Sequence, residues 1–180
     1  MKYWSEKADT SFSGTIIDFE TIGELSRYWD SRAYKDNIPV MVGALHDGEM
    51  HIHYVEKKDE IQSFHDELKL ILDALPRSWY AFNCDFEKGV TFHSLGLIHE
   101  YDHELNARKY ERKGDCRVNL GLSNYDDPFN DDGKLFPKNW LKGNIDDCLK
   151  HNRACLLKER DILEIRGFRE PDKLKFIARS

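Results

Sequence analysis

Residues 15–24 read TIIDFETIGE, and this run limits the architectures open to the chain more than any other stretch. Thr15, Ile16, Ile17 and Phe19 favour extended backbone, and Gly23 closes the run. Side chains two apart on a strand share a face, so Asp18 and Glu20 converge with their backbones about 7 Å apart. Two uncompensated anions at that separation repel, so one takes a proton or a cation lies between them. Either the strand ends in water with both acids solvated, or a core strand carries a divalent metal site into the fold.

The chain has 180 residues and 40% hydrophobic content, enough for one core and too little for two. A single domain over residues 1–180 is expected, with a C-terminal tail from residue 167. No apolar run approaches the roughly 20 residues of a membrane span, and MKYWSEKADTSF has no signal-peptide core. A soluble, cytoplasmic protein without a membrane partner is the expectation. The four cysteines (Cys84, Cys116, Cys148, Cys155) show no C-x-x-C spacing, which excludes a zinc ribbon or a redox pair written locally. The net charge of −6 argues against a protein held on nucleic acid by bulk charge, but not against an enzyme whose acids are neutralised by metals.

The run VMVGALHDGEMHIHYVE supplies two strand-like segments joined at Asp47-Gly48, a favoured hairpin pair. From Asp59 the period changes, with apolar Ile61, Phe64, Leu68, Ile71, Leu72 and Leu75 at helical spacing and Pro76 as the stop. SWYAFN is a further short strand, and the helical stretch after it ends at Gly96. RKYERK is a local basic cluster, whereas SNYDDPFNDDGKLFP is rich in turn formers and reads as a long ordered loop. The final helix runs from Asn144 as N-cap, through Asp146 and Asp147 in its first turn, to Gly167.

This order of pieces resembles the ribonuclease H-like fold of the DEDD 3′-to-5′ exonucleases. Asp18 and Glu20 in IIDFETIG match that family's first motif. Asn83, Phe86 and Glu87 in AFNCDFEKGV match the second, with glutamate at the acidic position and Asp85 as a nearby alternative ligand. His151 aligns with the first position of the third motif and Cys155 with its final aspartate. There the chain departs from the pattern, because a thiol is soft and must lose a proton to bind metal, whereas magnesium prefers hard oxygen. Asp147 and Glu159 each lie one helical turn from that pair, with Asp147 the preferred replacement.

The resemblance implies an α/β fold with a mixed five-stranded sheet, an antiparallel meander followed by parallel strands, flanked by helices. It implies hydrolysis of single-stranded DNA or RNA with two Mg2+ or Mn2+ ions about 4 Å apart. Asp18, Glu20, Glu87 and Asp147 would be the metal ligands, and Asp18 would bridge both ions. His151 would orient or deprotonate the attacking water, and Asn83 and Phe86 would contact substrate. Cys148, His151 and Cys155 share one helix face, but three ligands from one helix make a poor zinc site. RKYERK and SRYWDSRAYK mix cations with aromatics as single-strand binding surfaces do, although a solvated charged face has the same composition. The alternative function is a degenerate module that binds nucleic acid or a protein without cutting.

Overall fold

The computed structural model describes residues 1–178. Six strands form one mixed sheet: β1 (Lys2–Lys7), β2 (Thr15–Ile22), β3 (Ile38–His46), β4 (Glu49–Tyr54), β5 (Trp79–Ala81) and β6 (His103–Glu104). Five α-helices flank it: α1 (Ile61–Ala74), α2 (Cys84–Val90), α3 (Lys113–Leu120), α4 (Leu135–Leu141) and α5 (Ile145–Arg166). No helix among the described residues is long and apolar enough to cross a membrane.

The strand order is β1-β4-β3-β2-β5-β6, antiparallel through β2 and parallel from β2 to β6. This is the meander followed by parallel strands expected of a ribonuclease H-like arrangement, but with six strands where five were expected. The addition is β1, which pairs along its whole length with β4. Its sequence, KYWSEK, alternates exposed and half-buried residues and has no apolar run to announce it. An edge strand with both faces near water needs none.

All eight residues of β2 are buried, because the strand lies between β3 and β5 and under α4 and α5. Within β2 only Thr15 and Ile16 pair with β5, so the C-terminal half of β2 runs on past the end of its parallel neighbour. That opens a crevice beyond the strand ends, where ligands of open α/β sheets bind. On the other side, the register with β3 slips after Glu20: Glu20 faces Met41, whereas Thr21 faces Pro39. Proline, which has no N–H for a ladder, is tolerated at such a bulge, and the local twist re-aims nearby side chains.

Helix α5 packs across β2 and β3, and its close seat depends on Gly43. A Cβ there would lie 2.4 Å from Asn152 Oδ1 and 2.5 Å from Leu156 Cδ1. Helix α1 buries Phe64, His65, Leu68 and Leu72, in line with its apolar period. The stretch expected to be one long loop holds turns up to Lys134 and then α4, which buries Phe136 and Trp140. The described part of the tail is tied down. Arg169 bridges to Glu104 through two backbone hydrogen bonds of 2.9 Å, and Ser31 N–H donates to the Lys175 carbonyl at 3.0 Å. Residues 179 and 180 of that tail lie outside the described residues.

Candidate active site

The strand face that carries Asp18 and Glu20 points at α5. Asn152 Nδ2 donates to Asp18 Oδ2 at 2.7 Å, and His151 Nε2 lies 3.4 Å from Glu20 Oε1. Glu87 arrives from the other direction. Asn83, in left-handed backbone geometry at φ 69°, turns the chain sharply from β5 into α2, and Glu87 follows in the first turn. There it meets the unpaired edge of β2, where the Phe19 backbone N–H favours the ionised form of its carboxyl. Asp18, Glu20, Glu87, His151 and Cys155 all line one open cleft of about 1430 Å3.

His151 is fixed from behind. Its Nδ1 lies 2.7 Å from Asp127 Oδ1, a carboxylate that also accepts from the Phe129 N–H at 2.9 Å and the Asp131 N–H at 3.0 Å. Lys158, wholly buried, places Nζ 2.8 Å from Asp127 and 2.6 Å from Asp131. In the neutral imidazole, a carboxylate on Nδ1 holds the proton there and turns the Nε2 lone pair to Glu20 and the cleft. Burial alone would lower the pKa of His151, but Glu20 and Asp127 outweigh it and the net shift is upward. Burial also opposes the charge on Asp127, yet His151, Lys158 and the Phe129 N–H hold its carboxyl below the usual range.

Glu20, His151 and Cys155 bring three buried ligand atoms within 4.8 Å of one another, a cluster that can hold a metal ion. The helix supplies two of these ligands and the strand the third, which the helix face alone did not reveal. Cys155 is buried, with Sγ 3.8 Å from His151 Nε2, and desolvation raises its thiol pKa. Burial pushes Glu20 well above the usual carboxylate range, eased by His151 and reinforced by Asp18. Burial does the same to Glu87, with Asp18 and Glu159 adding to it.

Between these acids stands Lys113. Its Nζ lies 3.0 Å from Asp18 Oδ1 and 2.5 Å from Glu159 Oε1. Burial disfavours its ammonium, but Asp18, Cys155 and Glu159 outweigh that and raise its pKa well above the ordinary value. Burial lifts Glu159 to about 8, with Lys113 pulling down and Asp18 pushing up.

Three expected assignments are corrected. Asp147 does not reach the cleft: its carboxyl is half exposed, 4.0 Å from Lys150, and Glu159 is the acid from α5 that meets Asp18 through Lys113. Asn83 is exposed and absent from the cleft wall; its part is the backbone turn, in which its N–H donates to Asn106 Oδ1 at 3.0 Å. Asp85, the alternative ligand, pairs with Lys109 at 3.0 Å. Phe86 does line the cleft, edge-to-face with Tyr34 at 5.8 Å between ring centres.

Sequence reasoning missed Asp127, Lys158 and the inward turn of Lys113, the last residue of RKYERK. It also missed a basic rim along α4 and its two caps, where exposed Lys134, Lys138 and Lys142 follow one another at single-turn spacing and, with Arg112, line the cleft. The two aromatic-basic clusters do meet, with Trp29 and Tyr110 edge-to-face at 6.4 Å. Trp29 is 90% exposed. The rings themselves do not line the cleft, but the chain segments that lead from them in sequence, Gly23–Leu25 and Arg112–Gly114, do. Comparison with protein-family models, with curated proteins and with solved structures returns no match for the chain.

Proposed function

We propose that this chain is a metal-dependent nuclease that hydrolyses phosphodiester bonds of single-stranded nucleic acid, with the 3′-to-5′ exonuclease polarity that the motif resemblance implies. One observation carries the reading: Asp18 and Glu20 of one strand, and Glu87 from a distant part of the sequence, line a single cleft with a histidine whose far nitrogen is anchored on a carboxylate. Buried acids kept close against mutual repulsion are a stability cost that a cation-binding function explains.

The donor set fits a divalent cation, since Glu20, His151 and Cys155 converge and Glu87 Oε2 is buried with no hydrogen-bond partner among the described residues. A bound cation would neutralise phosphate charge and lower the pKa of water. Asn152 orients Asp18, and Asp127 keeps the imidazole ready to offer Nε2 to a water proton or to the cation. Lys134, Lys138, Lys142 and Arg112 suit a phosphate backbone despite the acidic net charge. Trp29 and Tyr110 suit unstacked bases, which double strands do not offer.

The test uses end-labelled single-stranded DNA and RNA with Mg2+ or Mn2+, comparing the wild type with Asp18→Asn. Cleavage that needs the cation and falls by roughly 100-fold or more in the variant is expected, the scale of losing a group used in the transition state. Equal cleavage by both proteins would refute the role of Asp18. A second reading, binding without cleavage, has its own support in the Lys113 ammonium and the Cys155 thiol standing among the acids. It requires tight single-strand binding with no turnover under any cation.

A further inference from the structure

A two-ion mechanism needs a strand aspartate free to bridge both cations, and Asp18 is not free. Its Oδ1 is held by Lys113 Nζ at 3.0 Å and its Oδ2 by Asn152 Nδ2 at 2.7 Å. The same ammonium contacts Glu159, which is wholly buried, so one positive charge already sits between two of the acids. Two hard cations therefore do not fit the residues present on this side of the site.

The other side differs in both geometry and chemistry. Glu20, His151 and Cys155 present one oxygen, one nitrogen and one sulfur within 4.8 Å, all buried. A carboxylate, an imidazole and a thiol select a borderline transition ion rather than magnesium, and three protein ligands leave a fourth position open for water or substrate. Glu87 Oε2, buried and unpartnered among the described residues, is a second and independent sign of an absent positive partner in this cleft.

We infer that the site takes one divalent transition-metal ion, on Glu20, His151 and Cys155, while the Lys113 ammonium permanently fills the role of a second cation between Asp18 and Glu159. His151 is then a ligand, positioned by Asp127. The catalytic use of this arrangement rests on the nuclease reading; the binding itself does not.

Cobalt(II) is the probe. Metal-free protein is titrated with Co2+, the ions per chain are counted by native mass spectrometry, and the near-ultraviolet band of a cobalt-thiolate bond is followed by absorption. The wild type should take one ion with that band, and millimolar Mg2+ should not displace it. Cys155→Ser should lose the band and bind about tenfold more weakly or worse. Lys113→Met should raise the count to two. Two ions on the wild type, or one ion whose binding ignores Cys155→Ser, would overturn the inference and leave the nuclease reading standing. No ion at all, together with no cation-dependent cleavage, would overturn both. The first two measurements stand on their own should Lys113→Met fail to fold.

Discussion

Replacing Lys158 by Met tests the support beneath His151. The Lys158 side chain is wholly buried, and its ammonium contacts Asp127 at 2.8 Å and Asp131 at 2.6 Å. Asp131 keeps Arg117 at 2.5 Å after the change, whereas among the described residues Asp127 keeps only His151 as a charged partner. Methionine fills much of the same volume with an adaptable chain, so the loss is mainly electrostatic. Breaking a buried pair by removing one partner costs about 3–5 kcal/mol. At about 2–4 °C per kcal/mol for a chain of this size, the melting temperature should fall by roughly 6–20 °C. Urea denaturation gives the free energy directly, with an unchanged slope confirming that the folded state stays compact. Adding Asp127→Asn to the variant should return part of the loss, because the stranded charge is removed. A loss under about 1 kcal/mol, or a double variant no more stable than the single one, would refute the claim that this lysine neutralises the His151 support.

Metal-free protein should lose stability as pH rises. Glu20, Glu87 and Glu159 have raised carboxyl pKa values, so between the unfolded value near 4.3 and the folded value, about 8 for Glu159, the folded state holds protons that the unfolded chain has released. The raised pKa of His151 acts in the same direction, its contribution being complete below about 6.5 and lost above the folded value. Melting temperatures in chelator from pH 5 to 8 should decline, and Mn2+ should restore more at the alkaline end; a flat or rising profile in chelator would contradict this. Trp29→Ala should weaken binding of a single-stranded oligonucleotide by about 1–3 kcal/mol per stacked base, with stability unchanged within about 0.5 kcal/mol. Fluorescence anisotropy reads the affinity, and an unaltered Kd would remove the ring pair from the proposed substrate path.

Much of the frame could be read from short-range rules. Same-face geometry brought Asp18 and Glu20 together, and the strand-to-helix junction at Asn83 brought Glu87 in after them. The Asp47-Gly48 turn and the apolar period of α1 reflect equally local physics. What stayed hidden depends on depth and direction. Asp147 and Glu159 are each one turn from the His151–Cys155 pair, so spacing alone does not rank them. Burial does, since the first turn of α5 buries only Cys148 while Glu159 is fully enclosed. Asp127 was concealed among turn formers, because a loop aspartate that caps its own backbone and one that anchors a histidine look alike in sequence. Lys113 closed a run of surface charges and gave no sign that it alone turns inward.

That inward lysine also bears on how the protein comes to exist at all. In small zinc domains the ligands repel one another until the ion arrives, so folding waits for metal. Here the chain carries a counter-charge of its own, Lys113, between Asp18 and Glu159, so part of the repulsion among its acids is offset without an ion. If the proposed metal-dependent activity holds, metal supply would then bear more on whether the molecule works than on whether it folds. On that reading, a shortage would leave folded, idle chains that act again once ions return, with no need for new synthesis.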